Sequence, residues 1–521
     1  MIKITFSNSE HNWFFASPTK KIGIVSFTDP RKEVHFAKER EEYIQLCHTA
    51  LVKQLEKNGY QVINPQLEEM GEKITTKNWG ISTQEELDRL LPVFYSENIS
   101  SMIIGCFAWN EPNIPLELAK KINVPISLVT IDNSKWPGIT ALTSTGATFW
   151  QLSNNYYIKN HERFLLKEGN YSKDLASWLK ATVALQHLQN GKILLWGGSP
   201  SLSMEHLNDD ISSLKRFLIN DIITSDQYLI IRKAEEIFEK DMKRIDHFLN
   251  WLKKMNCKII YDDKMLSKES LAKQIALYLS SKDLLQEYHR KHERVIGVSI
   301  KCQPEISVNY GFTPCLIPAF LPFPIDSEGE KIIIPTVCEG DIKGLLTSCL
   351  LFGIESTIPP LFGDLKILKE KYFVIANCGA ASAYFAANSN DPKDSLAKST
   401  IAAQCQGNAG GAFGYRTPET KELATYARLI RLDTNYILQY GVGKIINLGI
   451  NQELSWGSTW PHTAVELKVP NELFVKAIGT NHLSLTLGNH ETSLYYLSKL
   501  LDIPYVRLDD QQSIEIFLEN I

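Results

Sequence analysis

Several motifs that would assign this chain of 521 residues to a well-known class are missing. No HExxH pair is present, which excludes the helical zinc site of the metalloproteases that carry it. Neither GxGxxG nor GxxxxGKS/T follows the first apolar strand, so the sequence does not support a nucleotide site. The nine cysteines include no CxxC pair. Their odd number and wide spread are typical of a reducing compartment rather than of a disulfide framework.

The chain also has little surplus charge and no long apolar run. Its formal net charge is −4 and it contains no long basic run, so neither nucleic acid nor an anionic membrane is an expected partner. No stretch approaches the roughly 18 apolar residues that cross a bilayer. The first fifteen residues lack the basic and apolar regions of a secretory signal. These absences predict a cytoplasmic protein.

The apolar pattern predicts three parts. Strand-like and helical segments alternate from KIGIVSF onwards in the first part, and the same pattern restarts at KILLWGG. The second part includes a long helical stretch near 228–255 and the strand-like run KIIYD. In the third part, short strand-like runs from PPLFGDLKIL to ELFVKAIG precede one helix, ETSLYYLSKLL. We therefore predict two Rossmann-like parallel-sheet α/β domains, 1–165 and 166–354, followed by a largely antiparallel β C-terminal domain, 355–521.

Two carboxylates and a histidine are candidates for a metal site. The segment VCEGD places Glu339 and Asp341 just after an apolar strand, where ligands usually bind in α/β domains. Asp364 follows in PPLFGDL, and NHLSLTLGNH carries His482 and His490, whose spacing rules out a helical i, i+4 zinc pair. Two hard oxygens and one imidazole suit Mn²⁺ or Mg²⁺. From spacing alone the alternative stays open that Asp364 caps a turn and His482 makes an ordinary hydrogen bond.

A resemblance to a known family gives these residues a function. TVCEGDIKGLLTSCLLFGI, LFGDL and VIANCGAAS, followed by STWP, NH and LLDIP, resemble the L-fucose isomerase family, whose fold the arabinose isomerases share. The resemblance extends in scattered form to DPR, GCFAW and GGSPSLSM. It implies that Glu339, Asp364 and His482 are the metal ligands, with Mn²⁺ expected and Mg²⁺ or Co²⁺ as alternatives. His490 lies one residue beyond the family's second histidine, so we expect it to support the ligands or the structure.

The resemblance implies an aldose–ketose isomerase that acts on a monosaccharide through an enediol(ate) intermediate. Glu339 and Asp364 would move the proton between C1 and C2 while also binding the metal. It further implies a homo-oligomer, with a hexamer favoured, in which the GCFAW loop completes a neighbouring subunit's site. Phe107 and Trp109 would then be exposed in an isolated chain. The implied substrate-binding residues are Arg31, Phe107, Trp109, Lys301, Gln303, Tyr415, Arg416, Trp460 and Asn481.

The substrate is less well defined, because the chain has KCQPE where the fucose enzyme has a Q-G-Q-R-H-W-like stretch. L-fucose or D-arabinose is the default. Lys301, with Arg416 in another divergent loop, favours as an alternative an anionic sugar such as sulfoquinovose, converted to sulfofructose, unless both cations point to solvent. Trp460 is either an apolar wall for the sugar or a core residue. A non-catalytic sugar-binding protein and a metal-dependent hydrolase or aldolase are the other classes left open.

Overall fold

The computed structural model describes residues 16–31, 37–71, 78–167, 172–198, 200–262, 264–404, 406–448 and 460–521. Residues 1–15 lie outside these ranges, as do Ser199 of GGSPSLSM, Cys405, and Ser458 and Thr459 of STWP. Contacts divide the chain into two units, each compact. The smaller comprises 19–186 and 495–502, and the larger comprises 187–494 and 503–521 together with 16–18. The predicted second and third domains both fall almost entirely in the larger unit, and their boundaries stay predictions.

The smaller unit is built on a parallel sheet with the strand order β2-β1-β3-β4-β5. Its strands are β1 (Lys21–Ser26), β2 (Gln61–Ile63), β3 (Ser101–Gly105), β4 (Ile126–Ile131) and β5 (Glu162–Leu166). The helices are α1 (Ala37–Lys57), α2 (Pro65–Met70), α3 (Gln84–Glu97), α4 (Asn113–Lys121), α5 (Gly138–Leu152) and α6 (Tyr156–Lys159), with most of α7 (Lys173–Gln189). Strands β3 and β4 are buried throughout, as expected for a parallel sheet covered on both faces.

The larger unit begins with a second parallel sheet, of order β12-β9-β6-β7. Its strands are β6 (Lys192–Trp196), β7 (Asp221–Ser225), β9 (Val295–Ile300) and β12 (Thr336–Cys338). The helices of this region are α8 (Ile211–Phe217), α9 (Tyr228–Lys240), α10 (Met242–Lys254), α11 (Lys268–Arg290), α12 (Leu316–Phe320) and α13 (Ile342–Ile354). A 3-10 helix lies at Glu205–Leu207 and a π-helix at Glu305–Tyr310. Helix α13 is buried along its whole length, which is consistent with its mostly apolar sequence.

The remaining strands of the larger unit form a mostly antiparallel sheet that closes on itself. They are β13 (Leu361–Leu368), β14 (Tyr372–Ala376), β17 (Leu423–Leu432), β18 (Asn435–Ile446), β19 (His462–Glu466), β20 (His482–Leu487) and β21 (Tyr505–Arg507). The order is β17-β20-β13-β14-β19-β18-β21, and β17 also pairs with β18, so six strands form a ring. Helix α13 packs against β20 and β17 of this ring and against β9 of the parallel sheet. The two sheets of the larger unit therefore share one buried helix.

Smaller elements complete the larger unit. A three-stranded sheet contains β8 (Lys258–Ile259), β15 (Thr400–Ala403) and β16 (Gly411–Gly414), and a short hairpin contains β10 (Ile325–Asp326) and β11 (Gly329–Glu330). A 3-10 helix lies at Ala383–Ala386. The helices that follow are α14 (Pro392–Ala397), α15 (Asn471–Ala477) and α17 (Gln511–Glu519). Helix α16 (Glu491–Leu501) begins in the larger unit, and its residues from 495 onwards belong to the smaller one. In the described ranges every helix is too short or too polar to cross a membrane.

The predicted fold class is confirmed, with parallel-sheet α/β regions preceding a largely antiparallel sheet, but four local predictions are wrong. The stretch near 228–255 is two helices, α9 and α10, which meet at Asp241. KIIYD contributes β8 to the three-stranded sheet instead of a strand to the parallel sheet. ELFVKAIG forms helix α15, because its apolar residues Phe474 and Ala477 are three apart and both buried. ETSLYYLSKLL does form α16, but α17 follows it.

The expected exposure of Phe107 is also wrong. Phe107 is completely buried within the smaller unit. Its ring lies against the position where Gly105 has no side chain, since a Cβ added at Gly105 would come within 2.7 Å of it. The glycine makes room for the aromatic ring, and burial of that ring stabilises the end of β3. Trp109, two residues later, is partly exposed.

Candidate active site

Strand β12 ends at Cys338, and Glu339 follows it in an unusual backbone conformation. Glu339 has a φ of 65° and Gly340 a φ of 70°, so two successive residues adopt the left-handed region. For a residue with a side chain this conformation costs free energy, and such residues cluster at functional sites. The amide of Ser201 donates a hydrogen bond to the carbonyl of Glu339 at 2.9 Å. The GGSPSLSM turn therefore helps to hold Glu339 in place directly after the end of β12.

Asp364 and His482 are brought together by strand register. They are direct cross-strand partners in the antiparallel pair β13–β20, and side chains of directly opposed residues lie close together. The ring of Phe362, two residues before Asp364, packs edge-on against the imidazole with the ring centres 4.8 Å apart. This packing and the cross-strand pairing fix the position of the imidazole.

Three carboxylates contact the buried imidazole of His482. Nε2 lies 3.0 Å from Oε2 of Glu339 and 3.5 Å from Oδ1 of Asp364. On the other side of the ring, Nδ1 lies 2.8 Å from Oδ2 of Asp341. The side chain of His482 is 1% exposed, whereas those of Glu339 and Asp364 are 13% and 23% exposed. The predicted trio is therefore assembled with one side open, and Asp341 backs it from inside the protein.

Asp341 connects the histidine to the core of the larger unit. It is the N-cap of α13 and accepts a hydrogen bond from the amide of Gly344 at 2.8 Å. The guanidinium of Arg428, on β17, binds both oxygens of Asp341 at 2.6 and 2.9 Å. Asp341 and Arg428 are both fully buried. A bidentate pair of this kind holds its carboxylate in one orientation, so it also fixes the ring that the carboxylate contacts.

The pKa values of these groups are shifted because negative charge is concentrated around one ring. Burial by itself lowers the pKa of His482, but hydrogen bonds to the three carboxylates raise it well above its ordinary value. Burial raises the pKa of Asp341, and the charges of Arg428 and His482 outweigh that effect and lower it. The pKa of Asp364 is also lowered, chiefly by its hydrogen bond to His482 against the opposing effect of burial.

In the described part of the chain, no group of three or more His, Cys, Asp or Glu side chains has the arrangement of a metal cage. At this site the reason is visible in the contacts. The oxygens of Glu339 and Asp364 are directed at Nε2 of His482 at hydrogen-bonding or nearly hydrogen-bonding distance. The three side chains thus contact one another instead of surrounding a common point.

Asn481 and His206 complete this side of the site. The amide nitrogen of Asn481 donates to Oδ1 of Asp364 at 2.9 Å, and its oxygen lies 2.8 Å from Nε2 of His206. The resemblance implies that Asn481 binds substrate, which stays a prediction, and in the structure its amide holds a carboxylate. His206, Arg428 and the role of Asp341 were missed by sequence reasoning. The only signal for His206 was its position two residues after the GGSPSLSM turn.

The other predicted substrate residues of the larger unit have varied surroundings. The ammonium of Lys301 is 2.7 Å from the carboxylate of Glu305, four residues further on. Gln303 donates to the carbonyl of Gln406 and lines a pocket beside the strand ends. The buried hydroxyl of Tyr415 donates to the carbonyl of Ser382 at 2.7 Å.

Two further predicted residues lie near β19. Trp460 is 4% exposed, with the ammonium of Lys366 4.9 Å from the centre of its ring. Arg416 is partly exposed and forms an isolated β-bridge with His462. The burial of Trp460 favours the core alternative for this residue over the apolar wall.

Arg31, Phe107 and Trp109 belong to the smaller unit, where the guanidinium of Arg31 pairs with Asp29 at 2.5 Å. Their role in a neighbouring subunit's site stays a prediction. His490 is buried, and its Nε2 donates to the carbonyl of Leu487 at 2.9 Å. That contact supports the structural role expected for it.

Comparison with known proteins adds an independent finding. Residues 375–509, about a quarter of the chain, match the family described as L-fucose isomerase, C-terminal domain. The matched region includes Asn481 and His482, whereas Glu339 and Asp364 precede it. No curated protein is significantly similar to the chain in sequence. Over this region the chain is similar to the C-terminal domain of L-fucose isomerases.

Proposed function

We propose that the protein is a divalent-metal-dependent aldose–ketose isomerase acting on a neutral monosaccharide. The family match supports a sugar isomerase, and the contacts around His482 support the metal dependence. Glu339, Asp364 and His482 are the proposed ligands, with Mn²⁺ as the expected ion and Mg²⁺ or Co²⁺ as alternatives.

The observation that carries this proposal is the pair of carboxylates directed at Nε2 of His482. A carboxylate oxygen only accepts hydrogen bonds, and Asp341 already occupies Nδ1 at 2.8 Å. In the neutral ring with its proton on Nδ1, the lone pair of Nε2 would face the oxygens of Glu339 and Asp364. That contact is repulsive unless a positive charge lies between them. The site therefore requires either a second ring proton or a cation.

Two of the distances between the proposed donor atoms are close to those between neighbouring ligands of a cation. Hard divalent ions bind oxygen and nitrogen at roughly 2.1 Å, so neighbouring donors of an octahedral ion lie about 3 Å apart. The distances from Nε2 to Glu339 and Asp364 are 3.0 and 3.5 Å. Asp341 provides the carboxylate behind the histidine that metal-binding imidazoles commonly have. A bound ion would take the place of the shared proton, and the three side chains would have to turn from one another toward a common point.

A divalent ion bound here would polarise the sugar carbonyl and stabilise the negative charge that develops on its oxygens. The chain supplies the proton transfer. Glu339 and Asp364 are the two partly exposed carboxylates of the site. One of them would take the proton from C2 or C1, and the other would assist its return to the neighbouring carbon. Asn481 holds the carboxylate of Asp364 at 2.9 Å. Asp341 and Arg428 hold His482 and take no part in proton transfer.

A neutral substrate is favoured over an anionic one by the pairing of Lys301. Its ammonium already contacts the carboxylate of Glu305 at 2.7 Å, so a sulfonate or phosphate would have to compete with that contact. Gln303, which lines the pocket beside the strand ends, offers an amide group. An amide suits the hydroxyl groups of a neutral sugar. A neutral aldose would therefore leave the contact between Lys301 and Glu305 intact.

The proposal is tested by metal binding and by sugar conversion. Dialysed, metal-free protein is titrated with Mn²⁺ and followed by electron paramagnetic resonance, and the loaded protein is then incubated with a panel of aldoses and assayed for ketoses. Tight binding of one Mn²⁺ that is lost in Asp364→Asn and His482→Gln, but kept in His490→Gln, is the expected result. His490→Gln is the matched control because it changes the other histidine of NHLSLTLGNH.

Each alternative class gives a different result in this experiment. Ketose formation by the metal-free protein at the full rate would overturn the metal assignment. Sugar binding without conversion would indicate a binding protein, and cleavage of the sugar would indicate a hydrolase or aldolase. The expected homo-oligomer, with a hexamer favoured, remains a prediction that sedimentation velocity can check.

A further inference from the structure

His206 makes a contact at the proposed active site that the isomerase chemistry described above does not use. It is an exposed residue of the 3-10 helix Glu205–Leu207. Its Nε2 nevertheless lies 2.8 Å from Oδ1 of Asn481, 275 positions further along the chain. Asn481 in turn holds the carboxylate of Asp364. A histidine at the surface is thus joined through one amide to a proposed metal ligand.

The backbone on both sides of His206 is anchored in the larger unit. Before it, the amide of Ser201 donates to the carbonyl of Glu339 at 2.9 Å. After it, the carbonyl of Asn208 accepts a hydrogen bond from the ammonium of Lys343, on the buried helix α13. The ring is therefore carried by a segment that is fixed at two points, so its position is set by the fold although the ring itself is exposed.

The hydrogen bonds that join Asp364 to His206 can run in only one direction. The side-chain amide of Asn481 lies 2.9 Å from Oδ1 of Asp364, and an ionised carboxylate only accepts hydrogen bonds. The atom of Asn481 that faces Asp364 is therefore the nitrogen, and the atom that faces His206 is the oxygen. Because that oxygen also only accepts, Nε2 of His206 must carry a proton.

We propose that His206 is a positioning residue, whose Nε2 proton holds the amide of Asn481 in the orientation that Asp364 requires. Without that proton the amide oxygen would lose its partner, and the amide would be free to rotate away from the carboxylate. Asp364 lies 3.5 Å from His482, so its orientation affects the metal site.

The consequence for metal binding rests on the proposed function, whereas the contact itself does not. Outer partners that orient metal ligands commonly contribute about 10- to 100-fold to metal affinity. We expect the lower end of this range, because His206 acts through a second residue and is exposed.

Two variants of equal length separate a donor from an acceptor at this position. His206→Gln keeps an amide N–H at nearly the distance from the backbone at which histidine has Nε2. His206→Glu has the same shape as glutamine, but its ionised carboxylate only accepts hydrogen bonds, so it would compete with Asp364 for the amide nitrogen of Asn481. Its negative charge would by itself attract a cation, so weaker Mn²⁺ binding in this variant would not come from charge alone.

Mn²⁺ affinity is measured by electron paramagnetic resonance on the dialysed full-length protein and its variants. His206→Glu should bind Mn²⁺ about tenfold more weakly than His206→Gln, which should stay close to wild type. His247→Gln is the matched control and should bind as wild type does. His247 is also exposed, and its Nε2 lies 2.8 Å from the carbonyl of Ser327, in the turn of the β10–β11 hairpin. Equal affinities in the two variants of His206, or tighter binding in His206→Glu, would overturn the proposal.

Crystal structures of the metal-free protein test the contact without any assumption about activity. In wild type and His206→Gln, the amide nitrogen of Asn481 should lie within hydrogen-bonding distance of Asp364, whereas in His206→Glu it should have turned away from that carboxylate. An unchanged contact in His206→Glu would show that His206 does not position Asn481. If wild type binds no Mn²⁺, the proposed function fails and these structures alone decide the role of His206.

Discussion

Buried charges lie at the carboxyl end of both parallel sheets, but only in one sheet are they balanced. In the smaller unit, Glu41 is completely buried and both of its oxygens are occupied by donors. Oε1 accepts from Thr28 at 2.6 Å and from Arg40 at 2.8 Å. Oε2 accepts from the amides of Trp79 and Gly80 at 2.8 and 2.9 Å. This carboxylate links three segments of the chain by hydrogen bonds. Because both of its oxygens are occupied, it is not expected to bind a ligand.

In the larger unit the corresponding edge has an excess of negative charge. Glu339, Asp341 and Asp364 surround His482, and only Asp341 has a strong cation, Arg428, to itself. Two carboxylates therefore remain directed at one imidazole. The comparison teaches that charge at a sheet edge does not by itself indicate a ligand site. The informative observation is a set of carboxylates that share one imidazole, with more negative charge than nearby cations balance.

The largest expected effect comes from Glu339→Gln, which removes one of the two carboxylates directed at Nε2 of His482. Glutamine keeps the shape but cannot carry the proton or bind the cation strongly, so kcat should fall at least about 1000-fold. The stability of the metal-free protein should not decrease, because repulsion between carboxylates is relieved. Steady-state kinetics with Mn²⁺ and thermal unfolding of the dialysed protein measure the two quantities.

Glu41→Gln is the matched substitution in the balanced cluster, and it should behave in the opposite way. Loss of a buried, paired charge lowers the free energy of unfolding by about 3 kcal/mol, whereas Mn²⁺ affinity should not change. If Glu41→Gln weakened Mn²⁺ binding, or if Glu339→Gln destabilised the metal-free protein as strongly, the contrast between the two edges would be lost.

The next effect concerns Arg428, the cation that Asp341 has to itself. Arg428→Met leaves the carboxylate of Asp341 buried without its partner, so the free energy of unfolding should fall by about 3–4 kcal/mol. Because Asp341 orients His482, Mn²⁺ affinity should also fall, by about 10- to 100-fold. Denaturant unfolding and Mn²⁺ titration measure these changes. Arg428→Lys, which keeps one positive charge, should recover part of both losses, and equal losses in the two variants would count against this role.

The buried histidines of the two units have different surroundings. His482 faces carboxylates, whereas His48 in the smaller unit should make the stability of the protein depend on pH. His48 contacts neutral partners, with Ser26 Oγ at 2.8 Å and Asn64 Oδ1 at 3.0 Å. Burial, only partly offset by the hydrogen bond to Asn64, lowers its pKa from 6.5 to about 4. As pH falls below 6.5 the unfolded chain takes up this proton first, so stability is lost between pH 6.5 and 4, by about 3 kcal/mol at most.

His48→Gln tests this pH dependence. The difference in unfolding free energy between wild type and variant should shrink or reverse between pH 7 and pH 4.5, as measured by urea denaturation. Other titrating groups are common to both proteins and cancel in the difference. A difference that stays constant over this range would show that His48 is not held neutral by burial.

The smallest effect is expected from His490→Gln. The ring of His490 donates to the carbonyl of Leu487 at 2.9 Å, and loss of that hydrogen bond should cost about 1 kcal/mol. Mn²⁺ affinity and kcat should stay within about twofold of wild type. A large loss of Mn²⁺ binding would place His490 among the ligands and would change the assignment of the two histidines in NHLSLTLGNH.

The sequence predicted the order of the architecture because periodicity is a local signal. Runs such as KIGIVSF and KILLWGG are continuous apolar strands of parallel sheets, and their spacing around helical segments is sufficient to indicate α/β regions. The same signal failed at ELFVKAIG, where a short apolar run is compatible with strand or helix and the burial of Phe474 and Ala477 decided for helix α15. Local pattern could not foresee that choice.

For the site, the sequence by itself determined which side chains were available, and the resemblance selected Glu339, Asp364 and His482 among them. The tertiary structure decided how they meet. The register of β13 against β20 places Asp364 opposite His482, and β17 brings Arg428 to Asp341 across 87 residues of chain. These facts depend on strand pairing and side-chain packing between distant segments, and no local pattern of residues encodes the distance between two atoms.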